Sequence, residues 1–403
     1  MTLKLVNLSS GYTKPIIKNI NMEFKKGKIY GIVGPNGCGK STLIKTIAGI
    51  LNILSGEILI DNKNILNINE KERSKLISYM SQSILINFPF KVIDIVLTGR
   101  YPYEKNQFRD SKDSIRLTEE NLKLVDMFDK KDDSILEVSG GEKQRTNFAR
   151  VLNQDTQIIL LDEPNSSLDL VHQENMFNII KKLKEKDKII IAAIHNIKLA
   201  AKYCDEIILL KNGEVIKVGK PNDVFTSENI YKVYGINAIV FKNHFGLFDY
   251  EIINNNLQNI NGHVHVVAGG GEGSKIYKKL LECGFEVTSG VLATNDSDYL
   301  LCNILGIYAV KSKPFTEISN EEYMENVELI KKADFCALMN IPIGFQNLKN
   351  LESLKYAKKL YIIEETPIGL RDYTNGIATK IYNELKYKSE DIEYLYKIFQ
   401  GGL

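Results

Sequence analysis

Two short stretches of this 403-residue chain carry side chains that could handle a triphosphate together. The first, Gly34-Pro35-Asn36-Gly37-Cys38-Gly39-Lys40-Ser41-Thr42, fits the pattern G-x-x-x-x-G-K-[ST]. It follows the apolar run Ile29–Val33 and opens the helical stretch Leu43–Ile50. Glycines 34, 37 and 39 let the backbone curl so that its N–H groups point inward at phosphate oxygens, and the helix N-terminus adds its dipole. Lys40 is then expected to reach the β- and γ-phosphates, and the Ser41 hydroxyl to complete a magnesium shell. The second stretch, Ile158-Ile159-Leu160-Leu161-Asp162-Glu163-Pro164, ends an apolar strand on two adjacent carboxylates. Asp162 is expected on the magnesium side, directly or through water, and Glu163 as the general base that polarises an attacking water. A strand ending in Asp-Glu is common and more often structural; the Lys40–Ser41 loop in the same chain is what gives it a chemical reading.

Such a site needs a rigid sheet behind it. The runs Ile29–Val33, Ile158–Leu161, Ile189–Ile194 and Glu206–Leu210 are strongly apolar and each adjoins a helical pattern, as buried parallel strands do. Leu3–Asn7, Ile20–Phe24 and Glu57–Ile60, with turns expected at Lys26-Gly27 and Ser55-Gly56, read as antiparallel strands beside that sheet. Residues 84–155 read mostly as helix, for example Thr118–Phe128 and Gly141–Leu152, and form a helical subdomain. A fresh alternation begins at Val264. Strands Val264–Ala268, Val287–Leu292, Ile307–Val310, Phe335–Met339 and Leu360–Ile363 are separated by helices Ser274–Cys283, Ser297–Leu305, Asn320–Lys332 and Leu348–Lys358. That rhythm predicts a small Rossmann-like, doubly wound α/β domain. We therefore expect a nucleotide-binding domain at 1–245, a linker at 246–262 with a transition at Asn254-Asn255-Asn256, and a second domain at 263–403.

Val138-Ser139-Gly140-Gly141-Glu142-Lys143-Gln144-Arg145 resembles the signature peptide of ABC ATPases, with Val138 for leucine and Glu142 for glutamine. The resemblance implies a P-loop ABC ATPase fold, a mixed sheet plus helical subdomain, with ATP and Mg2+ as cofactors. It also implies that Ser139, Gly140 and Gly141 bind the γ-phosphate of ATP held by a second copy, so that two chains sandwich two nucleotides across an isologous interface. Further positions match the family in order: Tyr12 as the adenine platform, Gln82 as a magnesium and water contact, Asp169 in the loop that crosses the dimer, and His195 on the γ-phosphate. Glu163, His195, Gln82 and Lys40 are thus the catalytic candidates. Ser41, Gln82 and Asp162 are the metal candidates, and the 34–42 loop, Tyr12, Ser139–Gly141 and Asp169 are the nucleotide candidates. Taken singly, Tyr12 could be a strand-edge tyrosine and His195 a structural donor. Val92-Ile93-Asp94-Ile95-Val96-Leu97-Thr98-Gly99-Arg100-Tyr101-Pro102-Tyr103 is similar to importer ATPases for iron-siderophore, haem and cobalamin. That likeness implies a membrane permease as partner and, through it, an external solute-binding protein.

Composition narrows the classes. With 52 basic and 50 acidic residues the net charge is +2, which offers no field for nucleic acid or an anionic membrane. No apolar window is long enough to span a bilayer and Met1–Ser10 lacks a signal core, so the chain is expected in the cytoplasm, peripheral on the inner face of the membrane through the permease. The five scattered cysteines include no Cys-x-x-Cys and read as free, mostly buried thiols. A soluble ABC ATPase of DNA repair or translation is the rival class; its usual second cassette or coiled-coil insertion is not visible here. In the second domain, Gly269-Gly270-Gly271-Glu272-Gly273 misses the G-x-G-x-x-G spacing; it is either an anion cradle or a tight turn. Together with Thr294–Asp298 and Pro342–Asn347 it would lie at the strand-end edge where open α/β sheets bind ligands, and a ligand-sensing role is expected. His263 and His265 share a strand face, as metal ligands or as satisfied structural histidines.

Overall fold

Strands buried along their whole length build the centre of the N-terminal region, because helices and a second sheet cover both faces. In chain order the strands are β1 (Thr2–Gly11), β2 (Pro15–Lys25), β3 (Lys28–Val33), β4 (Ile53–Ile60), β5 (Lys63–Asn64), β6 (Ile77–Met80), β7 (Ile158–Asp162), β8 (Ile189–Ala193), β9 (Glu206–Lys211) and β10 (Glu214–Gly219). The main sheet runs β10-β9-β3-β8-β7-β6, parallel except for β10, and all five residues of β7 and of β8 are buried. The computed structural model describes residues 1–83, 86–104, 111–243, 246–252, 261–391 and 393. They fall into two units, Met1–Gly235 with Lys242–Asp249, and Ile236–Phe241 with Tyr250 onward. The expected transition at Asn254–Asn256 lies outside the described residues, as do parts of the 84–155 segment.

Register explains how remote sequence segments share one edge. Ile32 pairs with Ala193, and Ala193 with Asp162, so β3, β8 and β7 end side by side. Gly34, His195 and Glu163 then leave the same edge of the sheet. Helix Lys40–Ile47 packs Leu43, Ile44 and Ile47 against Ile158, Leu160, Ile189 and Ile191, each fully buried and each contributing about 1.5–3 kcal/mol of hydrophobic stabilisation. The second sheet, β2-β1-β4-β5, is antiparallel. Ser55-Gly56 is not a turn, as expected from its composition, but an irregularity inside β4. Gly56 takes φ +83° opposite the register shift at Val6/Ser9, and a Cβ there would stand 2.3 Å from the Asn7 carbonyl oxygen.

Helices Val92–Leu97, Lys112–Leu124 and Gly140–Gln154 form the helical part, around Val92, Val96, Leu122, Phe148 and Val151. Polar bonds join it to the sheet: Arg150 donates to the Tyr79 carbonyl (2.8 Å), Asn147 to that of Ser81 (3.0 Å) and Gln154 to that of Ile77 (3.1 Å). Gly99 is buried where any Cβ would stand 2.4 Å from the Arg150 carbonyl oxygen, and Arg100 donates to the Asn153 carbonyl and covers the Tyr103 ring.

The ribbon β11 (Ala238–Lys242) and β12 (Phe248–Ile252) lies where the chain passes between units. The second unit holds β13 (His263–Val267), β14 (Glu286–Ala293), β15 (Tyr308–Ser312), β16 (Phe335–Leu338) and β17 (Leu360–Ile362), all parallel in the order β15-β14-β13-β16-β17. This is the doubly wound, Rossmann-like order, with its reversal at β13. The expected helix from Ser274 begins only at Tyr277, after a 3-10 turn over Glu272–Lys275. A further helix, Ile377–Tyr387, was not expected.

Candidate active site

The 34–42 loop and the ends of β7 and β8 enclose a cleft of about 370 Å3, lined by Gly37, Lys40, Ser41, Gln82, Glu163 and His195 among others. Backbone geometry shapes its floor. Gly37 and Gly39 take φ +77° and +106°, and a Cβ on Gly34 would stand 2.2 Å from the Leu210 carbonyl oxygen, so these glycines cannot be exchanged without strain. Helix Lys40–Ile47 starts on Gly39 with no side-chain cap, leaving its first amides for an incoming anion. Lys40, only 4% exposed, donates to the carbonyls of Gly34 (2.9 Å) and Pro35 (3.0 Å), which holds its ammonium inside the loop. Burial pushes the Cys38 thiol above its ordinary value, so this cysteine is a packing residue of the loop.

Four polar side chains converge on the two carboxylates. Ser41 donates to Asp162 Oδ1 at 2.8 Å, and the Tyr79 hydroxyl approaches Oδ2 at 3.5 Å. Gln82 donates to Glu163 Oε2 at 2.7 Å, while His195 Nε2 is paired with Oε1. Asp162 is 2% exposed; burial raises its carboxyl above the usual range, the Ser41 hydrogen bond opposes this, and the neighbouring Glu163 charge adds to it. Burial, with the Asp162 charge, also raises the Tyr79 phenol. Glu163 sits at φ +51°, a region disfavoured for a side chain of this kind, and the surrounding contacts hold it there. Two adjacent carboxylates beside a hydroxyl and an amide form a hard-oxygen donor set with excess negative charge, which fits a divalent cation such as Mg2+.

The signature segment stands apart from this cleft: Ser139, Gly140 and Gly141 are not among the residues that line it. Ser139 caps helix Gly140–Gln154 in a reciprocal box, accepting from the Glu142 amide (3.3 Å) while its own amide donates to Glu142 Oε2 (2.8 Å). Lys130 pairs with the same carboxylate at 2.6 Å, and these contacts hold Glu142 down at about 2. Glutamine could make the same box; the departure to Glu142 adds the charge that Lys130 pairs with. Gln144, whose own role went unnoticed within the signature peptide, donates to the Pro164 carbonyl at 3.1 Å and ties this helix to the end of β7. Ile16, also unnoticed, lines the cleft; a β-strand isoleucine carries no sequence signal for such a role. Asp169 caps helix Leu170–Glu185 by accepting from the His172 amide (2.9 Å). Tyr12 is 65% exposed and is not among the residues that line the cleft.

Residues 17–166 match the family model described as "ABC transporter". An uncharacterized ABC transporter ATP-binding protein of Methanocaldococcus jannaschii, MJ0873, is 32% identical over 72% of this chain and 100% of its own length. The chain belongs to the ABC transporter ATP-binding proteins. It is accordingly an ATPase. The cobalamin import ATP-binding protein BtuD of Halobacterium salinarum is 28% identical to this ABC ATPase, over 76% of this chain and 77% of that one. In fold it is similar to a metal-chelate type ABC transporter solved in an inward-facing conformation, with a TM-score of 0.54 at 24% identity over 62% of this chain and 97% of that one. Residues 287–397 match a separate model, the MJ0874 family.

In the second unit of the ABC ATPase, the glycine loop is no anion cradle. The Gly270 amide donates to both oxygens of Asp296 (3.1 and 3.2 Å) and the Gly273 amide to Asp298 (3.0 Å), so two carboxylates of the same chain take the place of an external anion. His263 Nε2 and His265 Nδ1 both contact the Thr288 hydroxyl, at 2.9 and 3.0 Å. Burial pushes His265 down to about 3, which keeps that ring neutral. Among the described residues no cluster of three or more His, Cys, Asp or Glu could hold a metal.

Proposed function

We propose that this ABC ATPase powers import of an iron-siderophore, haem or cobalamin through a membrane permease, with Glu163 as the general base of hydrolysis. The observation that carries the reading is a groove of about 590 Å3 on the helical part, lined by Ser81, Phe90, Ile95, Leu97, Tyr101 and Arg150 among others. Phe88, Phe90 and Tyr101 are each more than half exposed around it, an apolar surface suited to a protein partner. One wall of the groove, Ser81, adjoins Gln82, whose side chain bonds Glu163. Occupation of the groove and hydrolysis are thus linked by consecutive residues of one segment. Among the described residues no helix is long and apolar enough to cross a membrane, which supports membrane attachment through a separate permease.

At the site, Lys40 and the amides of the 34–42 loop hold the phosphates, and Tyr12 offers an exposed ring to the adenine. Ser41, Asp162 and Gln82 would hold Mg2+, which when bound neutralises phosphate charge. Glu163 accepts the proton of the attacking water, and His195 orients the carboxylate and contacts the γ-phosphate. Exposure of Leu170 (78%) and Val171 (76%), just after Asp169, supports a second copy closing over this face, where its Ser139–Gly141 segment completes the ATP site. The test is uptake: cells lacking this chain should lose accumulation of one labelled solute among cobalamin, haem and ferric siderophores. Unchanged uptake of all three would overturn the importer assignment.

A further inference from the structure

At the reversal of strand order in the second unit, the loops leaving β13, β14, β15 and β16 enclose a cavity of about 660 Å3. That volume lies within the range of small-molecule sites, roughly 300–1,000 Å3, and the edge is where open α/β sheets hold ligands. Its base is rigid. Asn350, 1% exposed, accepts from the Val291 amide (3.0 Å) and donates to the Val291 carbonyl (2.8 Å), fixing helix Leu348–Ser353 to β14.

Three rings face solvent at this cavity: Phe315 is 82% exposed, Tyr373 68% and Phe345 49%. Phe315 holds φ +60°, a conformation unfavourable for a bulky residue, and its side chain remains in solvent. The turn thus holds an exposed phenyl ring at the rim of the cavity. The charged side chains among the described lining residues are Asp296 and Glu317, and no Lys, Arg or His stands with them. Asp296 accepts from the Gly270 and Asp298 amides and keeps lone-pair capacity. Phosphate-bearing ligands are disfavoured here, because the glycine-loop amides already face carboxylates and no cation lines the cavity.

We propose that this cavity binds a small organic cation, an ammonium group on an apolar or aromatic body. The charge lies against Asp296 and Glu317, and the body against Phe315, Phe345 and Tyr373. Carboxylates and ring faces attract the same charge, and a planar body would bury the three rings. This goes beyond the ATPase reading and does not depend on it.

Isothermal titration of the full chain with benzyltrimethylammonium, benzyl alcohol and phenyl phosphate separates charge from shape. The cation should bind about tenfold or more tightly than the alcohol, with the phosphate weakest of the three. Glu317→Gln and Phe315→Ala, both at exposed positions, should each weaken the cation by about three- to tenfold. Unaltered thermal transitions of the variants show that the fold is intact, and the three probes on the native chain need no variant. Equal affinity for cation and alcohol, preference for phenyl phosphate, no binding of the cation, or full affinity in both variants would each overturn the proposal.

Discussion

Replacing Glu163 by glutamine isolates proton acceptance from every other property of the side chain. Its Oε2 accepts from Gln82 at 2.7 Å, Oε1 faces His195, and the side chain is 13% exposed at a backbone φ of +51°. Glutamine has the same shape, meets the same backbone strain, and its amide oxygen can still accept from Gln82. What it lacks is a carboxylate that can take a proton from water. A positioned general base contributes about 10²–10⁴ in rate, which corresponds to roughly 2.7–5.5 kcal/mol of barrier. Binding should not suffer, because the loss of one negative charge beside the buried Asp162 carboxylate eases repulsion of a polyphosphate. Single-turnover hydrolysis with enzyme in excess, alongside equilibrium binding of ATP, reads the two effects separately. We expect hydrolysis to fall about 10²–10⁴-fold while ATP affinity stays within about threefold or tightens. Hydrolysis within tenfold of the native chain, or a loss of affinity in proportion to the loss of rate, would refute Glu163 as the base.

Tyr12→Ala should leave unfolding transitions unchanged, since the ring is 65% exposed, but should weaken ATP by about tenfold or more if adenine stacks there; unchanged affinity would return Tyr12 to an ordinary strand-end tyrosine. Gly99→Ala forces a Cβ against the Arg150 carbonyl oxygen and should lower stability by about 1–3 kcal/mol in urea unfolding, whereas a midpoint equal to that of the native chain would show that the helices part without strain. Glu142→Gln should cost about 1 kcal/mol at neutral pH, a modest figure because the Lys130 partner is half exposed. The carboxyl is depressed from 4.5 to about 2, so its contribution is complete above the ordinary value and is lost as pH falls through the interval towards about 2. Urea midpoints of the two chains should therefore converge below about pH 4.5, and a gap that stays constant down to about pH 3.5 would contradict the assignment.

That the 34–42 loop meets the Asp162–Glu163 pair was legible because each is defined by spacing within one strand–loop–helix or one strand end, which sequence displays directly. The apolar runs of β3, β7 and β8 identified a buried sheet for the same reason. Contacts made across register were not legible: nothing near Tyr79 or Gln144 announces that one reaches Asp162 and the other the Pro164 carbonyl. Ser55-Gly56 misled because a bulge and a turn demand the same positive-φ glycine, and only the pairing with β1 tells them apart. Helix Ile377–Tyr387 starts on Gly376, which has no side chain to cap it; Thr374 and Asp372 accept from its first amides, Ala378 and Thr379, from upstream of the usual cap position, while Ala378, Tyr382 and Leu385 recur at helical spacing and are buried. The glycine loop of the second unit is the most instructive case. Its composition left an anion cradle and a tight turn both open, and the carboxylates that take its amides arrive some 25 residues later, beyond β14. A glycine-rich turn specifies donors; what they bind is decided by whichever charged group the topology delivers to them. Here the chain delivers its own anions, and the described residues that line the cavity at this edge include carboxylates and rings but no Lys, Arg or His, which is why the proposed ligand there is a cation.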